Sequence, residues 1–141
     1  MKRLFMVILL AGCSVVVGCQ SYTKTLEQSV KAADETAALA AIHTTVTAEQ
    51  TYATSNDGSY ADFQKLASSG FLDSRFNYDK PRIKGYVLTL VVANGAEPAY
   101  TLNADPEPPQ TGRHLYMDSS SNLIHVNASQ SATATDSTLN Q

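Results

Sequence analysis

Between residues 23 and 55 the chain has neither proline nor glycine, and alanine recurs at 32, 33, 37, 38, 40, 41, 48 and 53. A run of that length without a helix breaker, built on the best helix former, has one regular solution, a long helix. Leu26, Val30, Ala33, Ala37, Ala41, Ala48 and Tyr52 recur at spacings of three, four or seven, and Leu39, Ile42 and Val46 widen the same stripe. Lys24, Glu27, Lys31, Asp34 and Glu35 fall mainly off it. The stripe thickens after Leu39, so burial is expected in the second half and solvent around the first. Thr44, Thr45, Thr47 and Thr51 lower helical propensity there, which leaves tertiary packing to hold that half.

Asn56, Asp57 and Gly58 tolerate left-handed backbone angles and are expected to end the helix. Asp62 then caps a short helical turn through Phe63, Leu66 and Ala67, closed by Gly70, and Phe71 and Leu72 enter the core. Residues 73–84 read as a solvated basic loop, with Arg75, Lys80, Arg82 and Lys84 against Asp73 and Asp79. From Gly85 the period changes from 3.6 to two. Residues 86–93 read as a strand, Asn94-Gly95 as a turn and residues 99–103 as its partner. Residues 104–112 carry Pro106, Pro108 and Pro109 and read as a connection. Residues 113–118 and 123–127 form a second hairpin around the turn at 119–122. Residues 128–141 are nearly all Ser, Thr, Ala, Asn and Gln with almost nothing apolar, and disorder is expected. The fold class is therefore α+β, a long N-terminal helix packed on a small antiparallel sheet of about four strands, with a disordered C-terminal tail.

The start of the chain carries an address. Lys2 and Arg3 precede an apolar stretch that begins at 4–10 and continues through Val15, Val16 and Val17. It is shorter than the ~20 residues a membrane-spanning helix needs, so a cleaved signal is expected over a permanent span. Cys13 and Cys19 each follow small residues, Leu10-Ala11-Gly12 and Val16-Val17-Gly18, and both resemble the lipobox of bacterial lipoproteins. Cys19 is favoured because Gln20, Ser21, Tyr22 and Thr23 leave a polar tether, whereas Cys13 would leave an apolar start. The resemblance implies a signal peptide over 1–18, diacylglycerol and palmitate on Cys19, and a membrane anchor for a domain over 19–127. Gln20 after the acylated cysteine matches the sorting pattern of outer-membrane lipoproteins. No cysteine follows Cys19, so no disulfide is expected.

With the leader gone, ten Lys and Arg fall to eight against thirteen Asp and Glu, and the charge moves from −3 to −5. A mildly acidic domain lacks the cationic footprint that phosphate backbones require, so nucleic acid is not an expected partner. At 141 residues the chain carries one modest core.

The order of elements, together with residues 41–52, Gly58-Ser59-Tyr60, residues 66–72, Gly85-Tyr86, residues 100–106, residues 112–118 and Leu123-Ile124, resembles the headgroup of type IV pilins and pseudopilins. The resemblance spans roughly residues 33–126 and implies a sheet packed on the C-terminal half of the helix. One departure carries weight. A pilin has its apolar segment after the processing site, whereas here the residues after Cys19 are polar, which opposes polymerisation through a helical core. The expectation is a pilin-like head on a lipid anchor, non-enzymatic and bound to another envelope protein, as an accessory to a type IV pilus or type II secretion system.

No GxSxG, HExxH, CxxC, P-loop or GxGxxG pattern occurs. His43 lies beside the apolar stripe and reads as a core or boundary residue. His114 and His125 are the one metal-pair candidate: an even-numbered loop would set them opposite each other, and an odd one would pair His114 with Val126. Asp118 and Asn122 offer oxygens of the kind a hard cation takes, but a β-turn with Asn122 in the left-handed region is favoured. No cofactor and no catalytic residue are expected; the alternative function is binding of a small ligand or metal ion.

Overall fold

The computed structural model describes residues 18–108 and 111–139; Cys13 and most of the leader lie outside them, as does Gln110. Contacts divide the chain into residues up to Val30 and a second unit from Lys31 onward. Helix α1 spans Gly18–Ser55. It starts earlier than the polar tether expected after Cys19, since nothing between Gly18 and Thr23 breaks a helix. Cys19 falls in its first turn. In the first unit, residues 23–30 are all exposed, Leu26 and Val30 at 49% and 53%.

The second unit holds the core. Ala38, Ala41, Ile42, Thr45, Val46, Ala48 and Glu49 form the buried face of α1, while Ala33 stays exposed. The threonines that weaken the helix return their hydroxyls to it: Thr44, Thr45, Thr47 and Thr51 each donate to the carbonyl four residues back at 2.7–2.9 Å. Asp57 and Gly58 take φ of 53° and 79° and end α1 as expected. Helix α2, Phe63–Ser68, is capped by Asp62, whose carboxylate accepts from the Lys65 N–H at 2.7 Å.

Residues 73–84 are more structured than a solvated loop. They contain a 3₁₀ turn at Ser74–Phe76, capped by Asp73, and strand β1, Arg82–Ile83. Phe76 and Ile83 are buried, and Phe76 stacks on Phe63 with ring centroids 5.9 Å apart. Apolar residues alternate with the charged ones here, so the cations face water while the backbone is pinned to the core.

The sheet has six strands, not about four. After β1 come β2 (Tyr86–Ala93), β3 (Ala99–Pro106), β4 (His114–Asp118), β5 (His125–Asn127) and β6 (Ser137–Thr138), in one antiparallel meander ordered as in the chain. Lys84 and Gly85, at φ of 49° and 78°, make the tight turn between β1 and β2. Leu88, Leu102, Ala104, Leu115 and Met117 alternate inward and join the buried face of α1 in one cluster. Each fully buried leucine contributes roughly 1.5–3 kcal/mol. β3 runs to Pro106, past the connection expected from its prolines. Pro106 lies opposite Tyr86, whose own backbone groups face β1, and pairing with β4 stops at Ala104, so neither neighbour needs the missing N–H.

The C-terminal segment, expected to be disordered, is folded through residue 139. β6 pairs with β5, the Leu139 N–H donates to the Ile124 carbonyl at 2.7 Å and Ala132 is 2% exposed. Its order comes from polar contacts that hydrophobic patterning does not register.

Candidate functional site

The outward face of the sheet gathers the residues with chemistry. Asn103 and Asp105 on β3, His114 and Tyr116 on β4, and His125 and Asn127 on β5 alternate with the core residues and point away from them. The C-terminal segment lies across this face. The Ser131 hydroxyl donates to both Asp105 carboxylate oxygens at 2.9 and 2.8 Å, and Asn103 Nδ2 donates to the Ala132 carbonyl at 2.9 Å. Asp136 accepts from Asn127 Nδ2 and from the Thr133 N–H, both at 2.8 Å, and from the Thr133 hydroxyl at 2.9 Å. The Thr133 backbone bond leads these in holding the Asp136 carboxyl below the usual range.

The two histidines do not form a pair. His114 lies opposite Asn127, and His125 opposite Tyr116. The register keeps both rings on one face, as an even-numbered loop requires, but offsets them by two residues. Each ring then has its own partner: His114 Nδ1 is 2.6 Å from Asp105 Oδ1, and His125 Nδ1 is 2.8 Å from the Asp136 carbonyl. Among the described residues no group of three metal-ligating side chains converges. Asp105, His114 and Ser131 hold the residue types of a nucleophilic triad in the wrong order, because the carboxylate sits between serine and histidine. A general base must reach the nucleophile itself. This arrangement binds the tail; it does not activate Ser131.

Asp118 and Asn122 close a turn. Asp118 Oδ1 accepts from the N–H and hydroxyl groups of Ser120 and Ser121 at 2.7–3.1 Å, and Asn122 takes φ of 53°, as the turn reading expects. Burial pushes this carboxyl up, but the serine hydrogen bonds outweigh it and hold it at about 2. That oxygen is occupied by protein donors. His43 is exposed rather than at the core boundary, beside Thr47 and Phe71 on a shallow groove.

One charged residue was not singled out from sequence. Glu49 is fully buried, its Oε2 accepting from the Ala61 N–H at 3.0 Å and its Oε1 without a partner. Burial pushes its carboxyl up to about 7, the Ala61 bond lowers it and Asp62 raises it further. The available signal was its position: Glu49 follows Ile42 by seven residues and Val46 by three, inside the apolar stripe.

A surface groove lies over the basic segment and is lined by Ser74, Arg75, Tyr78, Lys80 and Arg82. Arg75 is paired with Asp73 at 2.8 Å and Arg82 with Glu107 at 2.7 Å, while Tyr78 is 64% exposed. The groove is open and cationic. Comparison with protein-family models, curated proteins and solved structures returns no match for this chain.

Proposed function

We propose that this chain is a lipid-anchored protein of the bacterial envelope, carrying a pilin-like head in a non-enzymatic structural or protein-interaction role, accessory to a type IV pilus or type II secretion system. The observation that carries the reading is the succession along the chain. A lipobox-like Leader-Cys19 sequence is followed by exposed helical residues 23–30 and then by a helix half buried in the same core as an antiparallel meander. Acyl chains contribute about 0.8 kcal/mol per buried CH₂, and two or more make a durable anchor. The head then meets its partner through exposed surface rather than a catalytic pocket.

Intact mass of the membrane-extracted protein tests this, comparing wild type with Cys19→Ser and Cys13→Ser. An acylated species beginning at Cys19, lost only in the Cys19 variant, is the expected result. An unlipidated chain retaining residues 4–17 would overturn the anchor. Loss of filaments or secretion on deleting the protein tests the accessory role.

The cationic groove favours a second reading, binding of a small anionic ligand. A rise in melting temperature with such a ligand, abolished by Lys80→Ala, would support it.

A further inference from the structure

β2 is an edge strand for most of its length. β1 pairs only with Tyr86 and Val87, and the Leu88 N–H goes to the Pro81 carbonyl at 2.9 Å. Backbone groups of Val87, Thr89, Val91 and Ala93 face β3, so those of Leu90 and Val92 face outward, where no described strand follows. The run Leu88-Thr89-Leu90-Val91-Val92-Ala93 has none of the charges, prolines or bulges that blunt natural edges. Val91 is 59% exposed on the face away from the core.

We propose that this edge pairs with the same edge of a second copy of the chain, antiparallel, about a two-fold axis through Val91. The free groups set the register, and their symmetry about Val91 together with the lack of charge in the run suits a second copy. With Val91 opposite Val91 of the second copy, Leu90 and Val92 exchange N–H···O bonds reciprocally, using every outward donor and acceptor of those two residues. Centring the axis on Leu90 would instead require the Leu88 N–H, which Pro81 already holds. An isologous contact sets each side chain against its own surroundings, so a charge near the axis would face itself; this run has none. On the core side, Leu90 of the second copy falls beside Val92, at a groove lined by Tyr52, Tyr60, Lys65, Val92 and Asn94. So short an edge pair lies below the roughly 1,000 Å² of a stable interface, which makes the dimer weak and concentration-dependent. The inference rests on the sheet alone and stands or falls apart from the lipid anchor.

Cysteine trapping in membranes of cells producing the full chain tests it. Residues directly opposite at a non-hydrogen-bonded position have Cα atoms about 4.5 Å apart, within disulfide reach. Val91→Cys is expected to give a disulfide dimer under mild oxidation at least tenfold above Thr89→Cys and above the parent, whose Cys13 and Cys19 set the background. Adding Val92→Pro removes an outward N–H without touching the β3 ladder and should abolish the trapped dimer. Val91→Lys places like charges at the axis and should lower self-association of the detergent-purified protein in sedimentation equilibrium, with an unchanged far-ultraviolet spectrum. Equal cross-linking of Val91→Cys and Thr89→Cys would overturn the proposal, as would a product with a different protein in place of the dimer, or self-association unaffected by Val91→Lys.

Discussion

Glu49 on α1 fastens the chain that follows the helix: its carboxylate accepts the Ala61 N–H at 3.0 Å from a fully buried position, with its second oxygen unpartnered. The bond draws the segment before α2 against the helix, beside the Tyr60–Tyr100 edge-to-face contact at 4.8 Å. A charge in that place is expensive, and the carboxyl responds by holding its proton up to about pH 7.

A pH dependence follows. Between the ordinary carboxyl value of 4.5 and about 7 the folded chain keeps a proton that the unfolded chain has released. Glu49 therefore favours folding most below 4.5, and that contribution is lost as pH rises through 7, at a cost on the order of 3 kcal/mol. Urea unfolding of wild type should show this fall between pH 5 and 7.5. Glu49→Gln should flatten it, whatever the constant cost of burying the amide.

Gly112 and Tyr86 meet where no side chain fits. A Cβ on Gly112 would lie 2.1 Å from Tyr86 Oη, and that hydroxyl donates to the Arg113 carbonyl at 3.1 Å from a buried ring. Gly112→Ala should cost about 1–3 kcal/mol, the usual range for overpacking. Tyr86→Phe removes the clashing oxygen, so the double variant should lose less than the sum of the two single losses in thermal unfolding. Additive losses would mean that the backbone at 112, not the tyrosine, bears the strain.

Much of this architecture was legible in the sequence, and the misses share a cause. The break at Asn56-Asp57-Gly58, the Asp62 cap and the change of period at Gly85 are local signals, and each element stands where its residues put it. β6 and the ordered C-terminal segment depend on pairing with distant residues, which composition does not report, and β1 is a two-residue strand too short to show a period. Asp136 shows this best: it lies in a tract that reads as disordered, yet it binds Thr133 and Asn127. The His114–Asp105 contact depends on the pairing of β3 with β4, and the sequence reading ended β3 at residue 103 and so left Asp105 in a connection. Glu49 was visible as a charge inside an apolar stripe, but its partner was not.

The turn at Asp118 should be acid-sensitive. Its carboxyl is held at about 2, below the usual 3.8, so its stabilisation is fully present above 3.8 and is lost as pH falls through 2. Asp118→Ala leaves the Ser120 and Ser121 N–H groups to water and should lower stability by about 1–2 kcal/mol at neutral pH. Its difference from wild type should shrink near pH 2, measured by thermal unfolding across that range.

The C-terminal segment supplies the last test, because its hold on the sheet is polar and divided between two carboxylates. Ser131 binds Asp105 on β3, and Asp136 binds Asn127 on β5, while Ala132 is buried between these attachments in sequence. Removing one carboxylate frees one end of the segment and leaves the other attached. Asp136→Ala should therefore raise amide exchange at Ser137, Thr138 and Leu139 by tenfold or more and uncover His125, while exchange at Leu102 and Leu115 in the central strands stays at the global rate. Ala132→Glu forces a charge into a site with no room for it and should release the whole segment, raising exchange from 131 to 139 together. If both variants instead accelerate exchange equally in β3 and β4, the segment is part of the cooperative core and cannot detach from it.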